Sequence, residues 1–237
     1  MMGTTLATID DLEDFISNKW REYCAADPKR LATYEMRIPF QDWEARFFMR
    51  GLELGLFEVS SSDGLLHYQR LGGNVTGFFL TGRPRRCREV VTQFAALAEL
   101  IEEYGWPVEN VMAEPRERGK GIYPLDGLLF DSAWLEGRRT GQWPAVRIAL
   151  EAKIQRSQVA RLIQQINECV QRGPHQKSDH PSSKQSDHAK FQGILDWRPE
   201  YFLVVTPEER RIYSVRRHNE TSFSLDVVKD IPRWSPR

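Results

Sequence analysis

The sequence predicts a mixed α/β fold: a core of one helix, three strands, a second helix and two strands, preceded by an N-terminal helix-and-hairpin extension. Three observations carry this. Apolar residues recur at helical spacing along Val90, Phe94, Leu97, Ile101 and Tyr104. Short strand-like segments follow in succession at residues 110–114, 122–131 and 146–154, divided by loops bearing Arg and Gly. Tyr201 to Thr206 is a continuous apolar run of buried-strand type, and beyond the turn at Pro207-Glu208-Glu209 the segment from Ile212 to Val215 pairs back.

Each element has a local cause. The first helix starts near Ile9, where Asp10 and Asp11 suit a first turn and Leu12, Phe15, Ile16 and Trp20 share a face. A second helix over residues 41–54 buries Trp43, Phe47, Phe48 and Leu52. Residues 56–59 and 65–68 flank Ser-Ser-Ser-Asp-Gly, a hairpin signal at Asp63-Gly64. The first core helix spans 85–104 and stops at Gly105-Trp106-Pro107; the second spans 157–171, with Val159, Leu162, Ile163 and Ile166 apolar. Residues 172–190 are rich in His, Ser, Lys, Asp and Gln and read as a flexible loop. The division expected is an N-terminal region over 1–82, a substrate-selecting module, and a core over 83–237. A helix followed by a hairpin at 41–70 also fits a winged-helix fragment, though scaffolding fits equally and no helix rich in base-reading side chains is evident.

The 237 residues carry 33 Lys and Arg against 33 Asp and Glu, so the net charge is zero and histone-like coating of nucleic acid is excluded. Any nucleic-acid surface has to come from local clusters. The three cysteines, Cys24, Cys87 and Cys169, form no CxxC and lack a His pair at zinc-finger spacing. With Asp10, Asp11, Glu13 and Asp14 where a signal peptide needs a cationic start, and no membrane-spanning run, the expectation is a reducing, cytoplasmic protein without a membrane partner.

One group of residues points to chemistry. In the strand ending Leu125-Asp126-Gly127-Leu128-Leu129-Phe130, alternation places Asp126 with Leu128 and Phe130, a costly position for an unpartnered carboxylate. In Val146 to Ile154 the same period aligns Ala149, Glu151 and Lys153. Adjacent strands would bring Asp126, Glu151 and Lys153 together. Two hard carboxylates can hold Mg²⁺ while leaving positions for water and a phosphate, and a nearby ammonium can orient either. The plainer arrangement is a surface ion pair of Glu151 with Lys153, and Asp126 in a turn before Gly127.

Asp126, the Glu151-x-Lys153 tripeptide and the helix–three strands–helix–strand order around them resemble the PD-(D/E)xK nuclease superfamily, the restriction-endonuclease-like fold. Glu151-Ala152-Lys153 is the sole ExK in the chain and lies at a strand end directly before a helix. The resemblance spans about residues 85–217 and departs from the pattern at Pro124. It implies that Asp126 and Glu151 bind Mg²⁺, with Mn²⁺ able to substitute, and that Lys153 assists the attacking water. It also implies a glutamate from the first core helix, for which Glu102 is the best match, within about 20° of the line of Val91, Ala95 and Ala98. A glutamine in the following helix, Gln158 or Gln165, is a further expectation. The implied activity is Mg²⁺-dependent hydrolysis of DNA, as an endodeoxyribonuclease, with a homodimer as the form that cuts both strands.

Arg83, Arg85, Arg86 and Arg88 crowd the start of the first core helix, where cations oppose the helix dipole. With Arg116, Arg118 and Lys120 in the loop before the Asp126 strand, they are candidates for phosphate contacts. His175, His180 and His188 are too irregularly spaced for a metal site, while Lys190 leads from the polar segment toward the core. The alternative function is a non-catalytic DNA-binding or protein-interaction module on a degenerate nuclease scaffold.

Overall fold

The computed structural model describes residues 6–26, 39–72, 75–76, 79–80, 84–115, 125–172 and 183–235; for residues 75–76, 84–86, 172 and 183–188 it describes the backbone. The chain is a mixed α/β protein. Helices α1 (Ile9–Ala25) and α2 (Asp42–Glu53) lead into short strands β1 (Glu58–Val59), β2 (Leu66–His67) and β3 (Val75–Thr76), then helix α3 (Pro84–Glu102). Strands β4 (Val111–Ala113), β5 (Gly127–Phe130) and β6 (Val146–Ala152) follow, with the short helix α4 (Trp134–Thr140) between the last two. Helices α5 (Arg156–Arg172) and α6 (Ser183–Trp197) precede strands β7 (Tyr201–Val205), β8 (Arg210–Asn219) and β9 (Ser222–Val228).

The main sheet has the order β4-β5-β6-β7-β8-β9, antiparallel at every pair except β6–β7, which is parallel. A parallel neighbour requires a crossover, and α5 and α6 supply it. Alternation then sorts the sheet's side chains. Leu129, Ile148, Leu150, Leu203 and Val205 meet α1, α2 and α3 on one face, while Leu128, Phe130, Ala149, Phe202 and Val204 meet α5 and α6 on the other.

The N-terminal region does not stand apart from the core. Leu12 and Ile16 of α1, Phe47 and Phe48 of α2, and Leu56, Phe57, Leu66 and Tyr68 around the hairpin share one apolar cluster with α3 and the sheet. The packing therefore shows no break at residue 82, and α2 lies buried against α3 rather than displayed as a recognition helix. Gly51 marks the close approach: a Cβ there would lie 2.4 Å from Phe57.

One buried ion pair locks α2 to α3. Glu44 is fully buried and accepts from both terminal nitrogens of Arg88, which is itself 1% exposed. Thr92 Oγ1 donates to Glu44 Oε1 at 2.7 Å, and the Gln41 backbone N–H donates to Oε2 at 2.9 Å. Arg88 donates further to Pro39 O and lies over the Phe40 ring. The carboxylate's hydrogen-bonding capacity is thus filled, as burial of a charge demands. Arg88 is a structural cation here and not a phosphate ligand.

Several elements differ from the sequence expectation. Residues 183–190 belong to α6 instead of a loop, with 173–182 outside the described residues. Helix α4 and strand β9 are additional, and β5 begins at Gly127, one residue after Asp126.

Because the Glu44–Arg88 pair is enclosed, Glu44→Ala should lower stability by about 3–5 kcal/mol in urea unfolding, by leaving the guanidinium uncompensated. Glu44→Leu combined with Arg88→Met should lose less than either single substitution. A double variant as unstable as the sum of the singles would contradict this account.

Candidate functional site

The site forms where β5 begins and β6 ends. Extending the register Gly127↔Leu150 by one step places Asp126 opposite Glu151. Asp126 is fixed on every side by backbone partners. Its N–H donates to Leu150 O at 3.0 Å, and its carbonyl accepts from Glu114 N at 3.0 Å and Gln93 Nε2 at 2.9 Å. Its Oδ2 accepts from the Ala152 N–H at 2.7 Å, taking the place of a ladder bond just beyond the strand. Gly127 allows this crowding, since a Cβ there would sit 3.0 Å from Leu97 on α3. Lys153 is pinned in turn by its own N–H to Val205 O at 2.8 Å.

Around this frame five charged side chains converge. Glu151 is 0% exposed, and its Oε1 pairs with Lys153 Nζ. The same ammonium donates to Ala152 O at 3.0 Å and stands 3.7 Å from Glu89 Oε1 on α3. Lys190, from α6 on the opposite face, places Nζ 2.7 Å from Glu151 Oε2 and 4.0 Å from Asp126 Oδ1. The Lys190 contact is close yet poorly aligned, so Glu151 Oε2 is a buried oxygen without a hydrogen bond. Three carboxylates thus face two ammonium groups.

The electrostatics follow from the crowding. Burial is the main influence raising the Glu151 pKa, aided by Asp126 and opposed by Lys153 and Lys190. Glu89 is raised for the same first reason; Lys153 opposes the rise, while Asp126 and Glu151 reinforce it. Burial works to lower the Lys153 pKa, but Glu151, Asp126 and Glu89 together outweigh it and push it above the ordinary lysine range. The same upward direction means different things for the two groups: the surroundings of Lys153 favour its ammonium form, whereas burial disfavours the charged form of Glu151.

Asp126, Glu151 and Lys153 therefore meet as the strand pattern expects. Glu102 does not join them. It lies roughly 20 Å further along α3 at about 1.5 Å per residue, where its Oε1 accepts from Arg50 Nε at 2.8 Å. Helical angle alone selects a face and not an end, and the end of α3 near the site is the N-terminal one, which brings Glu89. The available signal was the Glu89-x-x-x-Gln93 spacing, two polar residues one turn apart in the first half of the helix. Lys190 was also legible, because Phe191, Ile194 and Leu195 continue a helical stripe backward to it.

Gln158 acts on the backbone: its Oε1 accepts from the N–H groups of Ile154 and Gln155, both at 3.1 Å, closing the turn after Lys153. Gln165 lies further along α5 and is half-buried. Arg83, Arg116, Arg118 and Lys120 lie outside the described residues, as do the side chains of Arg85, Arg86 and His188. Among the described residues no group of three or more His, Cys, Asp and Glu is arranged to hold a metal ion. A smaller donor set is present in Asp126 Oδ1 and the unbonded Glu151 Oε2, two hard oxygens of the kind Mg²⁺ takes with water completing its shell. No helix among the described residues is long and apolar enough to cross a membrane.

Raised carboxyl pKa values mean that the folded chain binds protons more readily than the unfolded one, so stability falls as pH rises through the interval above the ordinary value of 4.5. Lys153 contributes a slope of the same sign in a higher window, with its stabilisation intact below its ordinary 10.5 and lost as pH rises toward its raised value. The fall above the ordinary glutamate value of 4.5 should therefore come from the glutamates, and Glu151→Gln should flatten it in urea-unfolding measurements. An unchanged slope would count against the described electrostatics. The chain matches no protein-family model, no curated protein and, in its fold, no solved structure, so the chemistry of the cluster stands on its geometry.

Proposed function

We propose that the protein is a Mg²⁺-dependent nuclease that hydrolyses DNA phosphodiester bonds, an endodeoxyribonuclease on a restriction-endonuclease-like core. The observation that carries this reading is the convergence of Asp126, Glu151 and Lys153 at one end of a mixed sheet, with Glu89 entering from the preceding helix. The order α3-β4-β5-β6-α5 followed by β7, with α4 and α6 inserted, supports the resemblance to the PD-(D/E)xK superfamily, and the parallel β6–β7 pair agrees with the mixed sheet it implies.

Asp126 Oδ1 and Glu151 Oε2 are the oxygens that would hold the cation, with Mn²⁺ as an alternative to Mg²⁺. When bound, the cation supplies Lewis acidity toward the phosphate and neutralises charge that develops on it. Lys153 is the residue beside that position whose charge is secured by its neighbours. It orients a phosphate oxygen or the attacking water. Glu89 is half-exposed next to Lys153, and its raised pKa makes it a better proton acceptor than an ordinary glutamate. As water bonds to phosphorus and the bond to the leaving sugar oxygen breaks, Glu89 takes the proton that the water releases, and solvent water protonates the leaving oxygen. Asp126, held by four backbone and amide contacts, needs little rearrangement to act.

The second reading, a binding protein on the same scaffold, draws on one specific observation: both lysines already compensate the carboxylates, which gives the cluster a purely structural use.

Incubation with supercoiled plasmid, linear duplex and single-stranded DNA in Mg²⁺, Mn²⁺ or EDTA separates the two. Metal-dependent cleavage is expected, reduced on the order of 10²-fold or more by Asp126→Ala or Lys153→Ala. Cleavage unchanged in both variants would sink the site assignment, and its absence from every substrate would favour the binding protein.

A further inference from the structure

We propose that Lys190 is the resident counter-cation of the Asp126 and Glu151 carboxylates, and that a divalent cation enters the site by displacing its ammonium. The proposal rests on reading the cluster as a metal-dependent centre.

Lys153 and Lys190 divide the carboxylate oxygens between them. Lys153 takes Glu151 Oε1, and the Ala152 amide takes Asp126 Oδ2. The remaining oxygens are Glu151 Oε2 and Asp126 Oδ1, and Lys190 Nζ lies within 4.0 Å of both. One ammonium therefore covers the two oxygens that a small hard cation would use.

The two lysines are held differently. Lys153 has Glu151, the Ala152 carbonyl and Glu89 as partners, and its backbone is tied to β7. Among the described residues Lys190 makes two ion contacts, one of them at 4.0 Å and the other out of hydrogen-bond alignment with Glu151 Oε2. Its role is charge compensation without directional bonding, which another cation can take over. Its stem enters from α6 between the half-buried Ala189 and the fully buried Phe191, while the carboxylates stand on β5 and β6. Its side chain is itself largely buried, so it is α6, and not a strand, that has to accommodate its withdrawal.

Charge balance selects Lys190 as the group displaced. Glu89, Asp126 and Glu151 set three negative charges against two ammonium groups. Adding a divalent cation with both lysines in place would leave an excess of positive charge in a largely enclosed space, whereas exchange for Lys190 brings the cluster to neutrality. Lys190 is thus a positioning residue that holds the carboxylates ready before metal binds.

The test is calorimetric titration of Mn²⁺ into the wild-type chain, Lys190→Met and Lys190→Arg, with thermal midpoints in EDTA and in Mn²⁺. Lys190→Met should bind Mn²⁺ about tenfold tighter than wild type, since the competing charge is gone. It should also melt lower in EDTA and gain more from Mn²⁺, while Lys190→Arg stays near wild type. Equal or weaker Mn²⁺ binding by Lys190→Met is what a merely structural lysine would give, and it overturns the proposal. If Lys190→Met is unfolded in EDTA, refolding on addition of Mn²⁺ supports displacement and failure to refold overturns it. Cleavage by the wild type together with unchanged affinity in Lys190→Met fells this inference alone. Tighter Mn²⁺ binding in Lys190→Met without any wild-type cleavage fells the nuclease reading alone.

Discussion

The buried pair of Glu44 and Arg88 fixes where α3 lies, and the site depends on where α3 lies. A buried ion pair is a weak source of net stability, because removing two charges from water costs nearly what their attraction returns. This one is held by geometry. The Gln41 amide, Thr92 and both arms of Arg88 fill the lone pairs of Glu44, so α2 and α3 fit together in one register. The next residue on α3 is Glu89, and one turn further Gln93 reaches the Asp126 carbonyl. A slip of α3 along its axis would break these contacts together.

The site itself works against stability. A fully buried glutamate, an aspartate opposite it and a third carboxylate nearby are an expensive grouping, and two lysines, one just after β6 and one from α6, are needed to hold it. A core built for stability alone would place an apolar residue at position 151, between Ala149 below it and Val204 beside it. Retaining charge at that position is the pattern expected where a protein gives up stability for a task. The rigid setting of Asp126 has the same character, since four contacts fix one residue beyond the end of β5, where a chain would ordinarily fray.

Much of this was legible in the sequence, for identifiable reasons. Strand alternation found Asp126, Glu151 and Lys153, because a carboxylate in an apolar strand violates a strong rule and so stands out. Their opposition across β5 and β6 followed from strand adjacency alone. Glu102 was mislaid because a hydrophobic stripe gives the rotation of a helix about its axis but not which end meets the sheet edge. Lys190 was read with the polar segment before it, since composition over 172–190 hides the point where Phe191, Ile194 and Leu195 restore a helical period. Arg88 was counted among surface cations because its partner, Glu44, lies 44 residues earlier, and no local pattern reveals such a pair. Long-range polar pairing is a property of the fold, and a single sequence carries little trace of it.

The same distinction bears on the N-terminal region. Its expected role as a separate module came from domain size, yet its side chains are part of the site's support. Trp43, at the start of α2, donates from Nε1 to Pro207 O at 2.8 Å in the turn between β7 and β8. Arg210 lies over the Trp43 ring and pairs with Glu99 of α3 at 2.8 Å. That turn follows Val205, whose carbonyl receives the Lys153 amide, so α2 steadies the strand end that positions the lysine. Of the other cations near the turn, Arg211 is half-buried against Glu209. Arg156, at the start of α5, is 70% exposed and rests against Glu209. A pair with one partner so exposed is worth little in water, so the turn is held by the Trp43 and Arg210 contacts and not by Arg156.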